Sequence, residues 1–508
     1  VNLRPREGRG PRGGKRRVGA AVVRLLLLGL DTLRPDHLGC YGYHRATSPT
    51  IDAIAERGVR FTNYYCSDAP CLPSRAALVS GQHGLRSGLV GHGGTAAEFR
   101  LEGTSRGFRS DFSRRSLWQF IRDQGYHTAS ISPFAERHSA WWFNAGFTTT
   151  HDTGAGGLES AEHVTPHVLD WLDGHAESDN WLLHLNYWDP HTPYRAPAEF
   201  GNPFADEPLP GWMTPELLAE HRTQPGLHGC WEINMYDDGT NPAYPRHPGS
   251  APDPDGWRTL IDGYDCGIRY LDDHLARIMN HLADAGVLDE TAIVVTSDHG
   301  ENMGELNCYA EHGSSDYVTH RIPMILSWPG GVQGRVDEQL HYNLDLGPTL
   351  ADLWDVAPRR GWQGESFAGA LRGEAYAARD HVVLGQMCHG ATRSVRFGPW
   401  QYIRVYHDFY HLWPAEMLFN IEDDPHELND LAAARPEICA QGARLMMDWV
   451  DGQLAQMDGA PDPLWTVLAE GGPEHSRGAL PAYLKRLEGT GRGQHVEELR
   501  RRHPGEFA

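Results

Sequence analysis

The chain has 508 residues, 40% of them hydrophobic and 16 of them Trp, which excludes a disordered chain and leaves room for one large domain with a smaller companion. Its formal net charge of −22 excludes nucleic acid or an anionic membrane as a general partner, because the field of the whole molecule repels polyanions. An anionic substrate has to be drawn in by local cations.

Residues 1–20 are rich in Arg and Gly and are expected to be disordered. The Leu run at 25–30 reads as a buried first strand that ends at Asp31. Residues 18–28 imitate a signal peptide, but Arg24 interrupts the run and no small-residue cleavage site follows, so a strand and a cytoplasmic protein are expected. No other stretch is long and apolar enough to span a membrane. Further strands are expected at 128–132, 181–187, 291–296 and 324–328, and helices at 50–56, 74–80, 117–124, 257–285 and 345–353. This alternation predicts an α/β protein whose mostly parallel central sheet is flanked by helices. Ligands of such sheets gather beyond the C-terminal ends of the strands.

Residues 197–256 are rich in Pro, Gly and Trp and read as a long substrate-facing insertion. Short strands at 382–386, 392–397, 400–405 and 417–420, followed by a helix at 436–450, predict a small antiparallel sheet with a covering helix. The catalytic domain is thus expected over 21–381 and the small-sheet subdomain over 382–451. The polar tail 452–508 offers one helix at 481–487 and no assignable role.

The eight cysteines lie far apart, with no C-x-x-C pair, so neither a zinc ribbon nor a disulfide framework is indicated. Cys71 differs from the others. Pro73 suits the first turn of a helix, Ser74 to Val79 can continue it, and Gly81 stops it. Cys71 then stands at or just before a helix N-terminus, where free N–H groups attract an anion. Arg75 adds a permanent cation one turn along, with fork geometry suited to a tetrahedral oxyanion. A lone Cys-x-Pro would more often be a buried structural cysteine; the full pattern makes that reading a small minority.

The run Cys71-Leu72-Pro73-Ser74-Arg75-Ala76-Ala77-Leu78-Val79-Ser80-Gly81 resembles the signature of the sulfatases, formylglycine-dependent members of the alkaline-phosphatase-like superfamily. Asp31-Thr32-Leu33-Arg34-Pro35-Asp36 and the following segment to Gly42 resemble the family's N-terminal motif, and Ser297-Asp298-His299-Gly300-Glu301 its second metal motif. Met417-Leu418-Phe419-Asn420 through Leu431 resembles the C-terminal subdomain, so that the likeness runs over about 22–450 in the family's order.

The resemblance implies a sulfuric ester hydrolase in which Cys71 is oxidised to formylglycine (3-oxoalanine) by a formylglycine-generating enzyme. The aldehyde hydrate carries two hydroxyls: one attacks sulfur, and the other later expels sulfate. Asp31, Asp298, His299 and residue 71 are implied to hold one divalent cation, calcium first, with magnesium or manganese as alternatives. Thr32 stands where many relatives carry a second acidic residue, and its hydroxyl or carbonyl is a further candidate ligand. His191, in Asp189-Pro190-His191-Thr192-Pro193, is the candidate for protonating the leaving oxygen. Two lysines usual in the family are absent. Arg137 and His138 are the candidate replacements for one, and His312, after Glu311, for the other. A phosphonate monoester or phosphodiester hydrolase on the same scaffold is the nearest alternative, and a non-catalytic binder of sulfated glycans a more distant one.

Overall fold

The computed structural model describes residues 24–100, 111–235, 238–457 and 459–507. The expected disordered leader at 1–20 lies outside the described residues.

A central sheet of eight strands runs in the spatial order Arg335–Asp337, Val59–Phe61, Met324–Ser327, Thr291–Thr296, Arg24–Leu30, Trp181–Tyr187, His127–Ile131 and Thr149–His151. Met324–Ser327 runs against both of its neighbours, and the remaining pairs in the sheet are parallel. The Leu run is buried along its whole length, as expected of a parallel strand covered on both faces. Side chains alternate across the sheet. Leu26, Leu28 and Leu30 join a core with the apolar face of the 31-residue helix Pro254–Asp284. Leu25 and Leu27 join the opposite core, with Leu72, Ala76, Trp118 and Leu350. The helix that begins at Cys71 therefore packs under the strand that ends before Asp31.

The second sheet joins His381–Gln386, Ala391–Phe397, Trp400–His407 and Glu416–Asn420 as an antiparallel meander, as expected. Its inner edge is completed by Asp68–Ala69, parallel to His381–Gln386. This short strand immediately precedes the Cys71 helix, so the smaller sheet reaches the candidate site directly. Helix Pro436–Leu454 covers its outer face.

The tail differs from expectation. The tail holds three α-helices, Pro463–Ala469, Leu480–Gly489 and Val496–Arg502, where the sequence offered one. Leu480, Tyr483, Leu484, Leu487, Val496 and Leu499 share a core with Phe409 and Tyr410, and helices this short gain their stability from such packing rather than from propensity. Segment 197–256 is held down by buried Phe204, Leu218, Leu227, Ile233 and Ala251. Its route over the molecule is therefore a packed one. Among the described residues no helix is long and apolar enough to cross a membrane.

Candidate active site

The helix Cys71–Ser80 starts at Cys71 itself and ends at Gly81, whose φ of 67° is left-handed, a common helix stop. A Cβ on Gly81 would stand 2.2 Å from Cδ1 of Trp362. Both conformation and space therefore require glycine there. Asp31 follows strand Arg24–Leu30 and Asp298 follows Thr291–Thr296. These strands are parallel neighbours, which brings the two carboxylates together beyond the same end of the sheet.

Cys71 Sγ lies 3.1 Å from His299 Nε2 and 4.0 Å from both Asp31 Oδ1 and His191 Nε2. Arg75 spans the two acids, with Nη2 2.7 Å from Asp31 Oδ2 and Nε 3.0 Å from Asp298 Oδ2. Asp31, Cys71, Asp298 and His299 are all buried and each offers one ligand atom, all within 4.8 Å of one another. His299 donates from Nδ1 to the Gly300 carbonyl at 2.8 Å. This leaves a lone pair on Nε2, facing the cluster, as a metal-binding imidazole requires.

The electrostatics match that donor set. Burial, reinforced by Asp298, pushes Asp31 up to about 7 against the pull of Arg75. Burial also works against charge on Asp298, but Arg75 and His299 hold it below the usual carboxylate range. Two buried carboxylates share one guanidinium, and a divalent cation would compensate the rest. Burial and the same two acids raise the Cys71 thiol well above its ordinary value. The protein groups alone thus keep it protonated and poorly nucleophilic.

Thr32 sits at φ 53°, a strained conformation for a β-branched residue. Its N–H donates to Asp298 Oδ1 at 3.3 Å, and its carbonyl accepts from Tyr264 Oη at 2.7 Å. The carbonyl is thereby engaged, while the buried hydroxyl has no partner among the described residues.

His191 donates from Nδ1 to the Thr192 carbonyl, so its Nε2 lone pair is turned towards Cys71. Burial, Arg137 and Arg195 lower its proton affinity well below the ordinary range. Arg137 lies with its guanidinium 4.9 Å from the Trp188 ring centroid and donates to the Gly156 carbonyl; its charge is felt at Cys71. His138 is turned towards His92, with ring centroids 5.0 Å apart, and burial with Arg137 lowers it to about 3. Of this pair, Arg137 is therefore the one that supplies charge to the site. The His312 ring lies tilted against His299, with centroids 4.2 Å apart, and its centroid stands 6.5 Å from that of His191. Burial lowers it to about 4 although Glu311 favours its charge.

The fold also brings in residues that the sequence did not single out. His92 accepts from the Leu72 N–H at 3.4 Å and meets His475 at 3.1 Å. His389 lies 3.3 Å from Glu311, and His228 lies 3.5 Å from it. These side chains come from separate segments, one of them in the tail and one in 197–256, and no local motif marks them.

A profile of the sulfatase family matches residues 24–356, and one described as N-sulphoglucosamine sulphohydrolase, C-terminal, matches 317–443. The choline-sulfatase of Rhizobium meliloti is 26% identical over 437 residues, covering 76% of this chain and 77% of its own. The uncharacterised sulfatase YidJ of Escherichia coli is 22% identical over 449 residues, covering 80% and 82%. Among solved structures, the phosphonate monoester hydrolase of Agrobacterium radiobacter superimposes with a TM-score of 0.67 at 19% identity, over 85% of this chain and 96% of its own. At that identity the likeness is one of fold.

Proposed function

Since the chain belongs to the sulfatase family, we propose that it hydrolyses a sulfate ester at residue 71, with one divalent cation held by Asp31, Asp298, His299 and that residue. The observation that carries the reading is the Cys71 side chain, at a helix N-terminus, within 4.0 Å of Asp31, His191 and His299. A buried thiol held protonated by its neighbours serves poorly as a nucleophile, which supports conversion of Cys71 to formylglycine. In that form residue 71 would supply the attacking oxygen, and a cation held by Asp31, Asp298 and His299 would supply neutralising charge beside it. Oxygen-rich ligation favours calcium, with magnesium and manganese as the alternatives.

The chain's own residues then have separable tasks. Arg75 fixes the spacing of the two carboxylates and faces the same cluster with its positive charge. Ser74 donates to the Asp298 carbonyl at 2.6 Å and accepts from Asn343, which pins the nucleophile helix to the metal loop. Arg137 and His312 flank the site in place of lysines. His191 is neutral at rest; an anionic ester beside Nε2 opposes the effect of burial and raises its proton affinity. It can then donate a proton to the leaving oxygen.

The test is a side-by-side assay of protein produced together with the formylglycine-generating enzyme, with Cys71→Ala as control. Turnover of an aryl sulfate well above that of an aryl phosphodiester or phosphonate monoester is expected. The reverse order would replace this reading with the phosphonate or phosphodiester one.

A further inference from the structure

Beside His299 lies a second cluster of buried titratable groups. Glu311 is 8% exposed, His312 4% and His389 2%. Glu311 Oε1 is 2.9 Å from His312 Nε2 and 3.3 Å from His389 Nε2. One ligand atom from each of the three lies within 4.8 Å of the others. From this geometry we infer that Glu311, His312 and His389 bind a second divalent cation, of the zinc class, next to the catalytic one.

The two carboxylate–imidazole separations, 2.9 and 3.3 Å, are close to the edge lengths of a ligand shell. Tetrahedral zinc with bonds of about 2.0–2.1 Å holds neighbouring ligand atoms about 3.3 Å apart. Two imidazoles and one carboxylate form a borderline N/O donor set that suits zinc better than calcium. The carboxylate of Glu311 faces His312, His389 and His228. Among the described residues it pairs with those three histidines and with no Arg or Lys. The chain's two lysines, Lys15 and Lys485, give no cation from the motifs where one is usual.

Hydrogen bonding alone leaves one group of the cluster unsatisfied. His312 Nδ1 is buried without a partner. A metal on Nε2 leaves the ring hydrogen on Nδ1, which turns an orphaned nitrogen into a polarised donor for an oxyanion in the adjoining site. The weak 3.4 Å contact between Gln386 Nε2 and His389 Nδ1 is given up in exchange.

The experiment counts metal and needs no turnover, so its outcome is independent of the reaction proposed above. Wild-type protein, stripped and then titrated with zinc against a chromophoric chelator, should take up two ions per chain, a count that native mass spectrometry reads directly. Asp298→Ala should keep the ion at Glu311, and Glu311→Gln and His389→Gln should each keep the other. A single ion in the wild type, lost in Asp298→Ala and retained in Glu311→Gln, would overturn the proposal. The cluster would then be a hydrogen-bonded set around a protonated imidazole. The opposite loss pattern would uphold this site and remove the catalytic one. A wild-type count of two upholds the proposal without any variant; for a count of one, Asp298→Asn and His389→Gln give the same readout where a first variant fails to fold.

Discussion

Replacing Arg75 by Met tests how the two carboxylates at the sheet edge are kept together. The guanidinium is 4% exposed and bridges Asp31 and Asp298 at 2.7 and 3.0 Å. Met keeps much of the side-chain volume that packs over Phe134, whose ring centroid lies 4.7 Å from the guanidinium carbon. The substitution therefore removes charge more than it removes packing. Removing one partner of a buried ion pair costs about 3–5 kcal/mol, because the remaining charge is left uncompensated in a low-dielectric site. Calcium bound between the acids would take over that compensation. At 100 times its dissociation constant, a ligand stabilises the folded state by about 2.7 kcal/mol. The variant should gain more than this relative to wild type at the same calcium concentration, since losing a neighbouring cation tightens its metal site. Urea denaturation of both proteins at about pH 8, with chelator and with excess calcium, gives the four free energies needed. A loss under about 1 kcal/mol in chelator, or a calcium increment equal in both proteins, would refute the account of a shared, cation-deficient pair.

Three further outcomes follow from particular contacts. Asp31 is raised to about 7 in the metal-free protein, so below that pH calcium must displace a proton; its affinity should fall about tenfold per unit there and level off above. Chelator competition across the range checks this, and a flat profile would contradict the shift. His191→Ala should lose about 10²–10⁴-fold in rate on alkyl or sugar sulfates and least on esters with acidic leaving groups; an equal loss across leaving groups would reject the proton-donor role. Asp272 caps helix Pro49–Glu56 through the Thr50 and Ile51 N–H groups at 2.8 and 2.9 Å, so Asp272→Ala, which strands both donors, should destabilise by about 1–3 kcal/mol in thermal or urea melts.

The residues that could be read from sequence are those whose environment is local. The strands Trp181–Tyr187 and Thr291–Thr296 lie where the apolar runs place them, and the Cys71 helix starts and stops at the residues whose chemistry demands it. Helix Ala161–His175 escaped because Pro166 interrupts its pattern, although Pro in the first turns leaves most of the later hydrogen bonds intact. The tail helices Pro463–Ala469 and Val496–Arg502 escaped because each carries few apolar residues that only tertiary packing makes sufficient. The same limit applies in the site. Asp31, Cys71 and Asp298-His299 sit in contiguous motifs, whereas His228, His389 and His475 come from a packed excursion, the second sheet and the tail. Each of these is an ordinary polar residue in its own segment, and only the folded chain brings them together around Glu311 and His92.

The central claim is that residue 71 works as formylglycine, and the mass of the peptide containing it tests this most directly. Protein produced with the formylglycine-generating enzyme should yield a Cys71 peptide that has lost its thiol and gained an aldehyde, trapped as a hydrazone. Activity in a panel of preparations should rise in proportion to that converted fraction. Full sulfatase activity in protein whose Cys71 peptide is entirely unmodified would contradict the account.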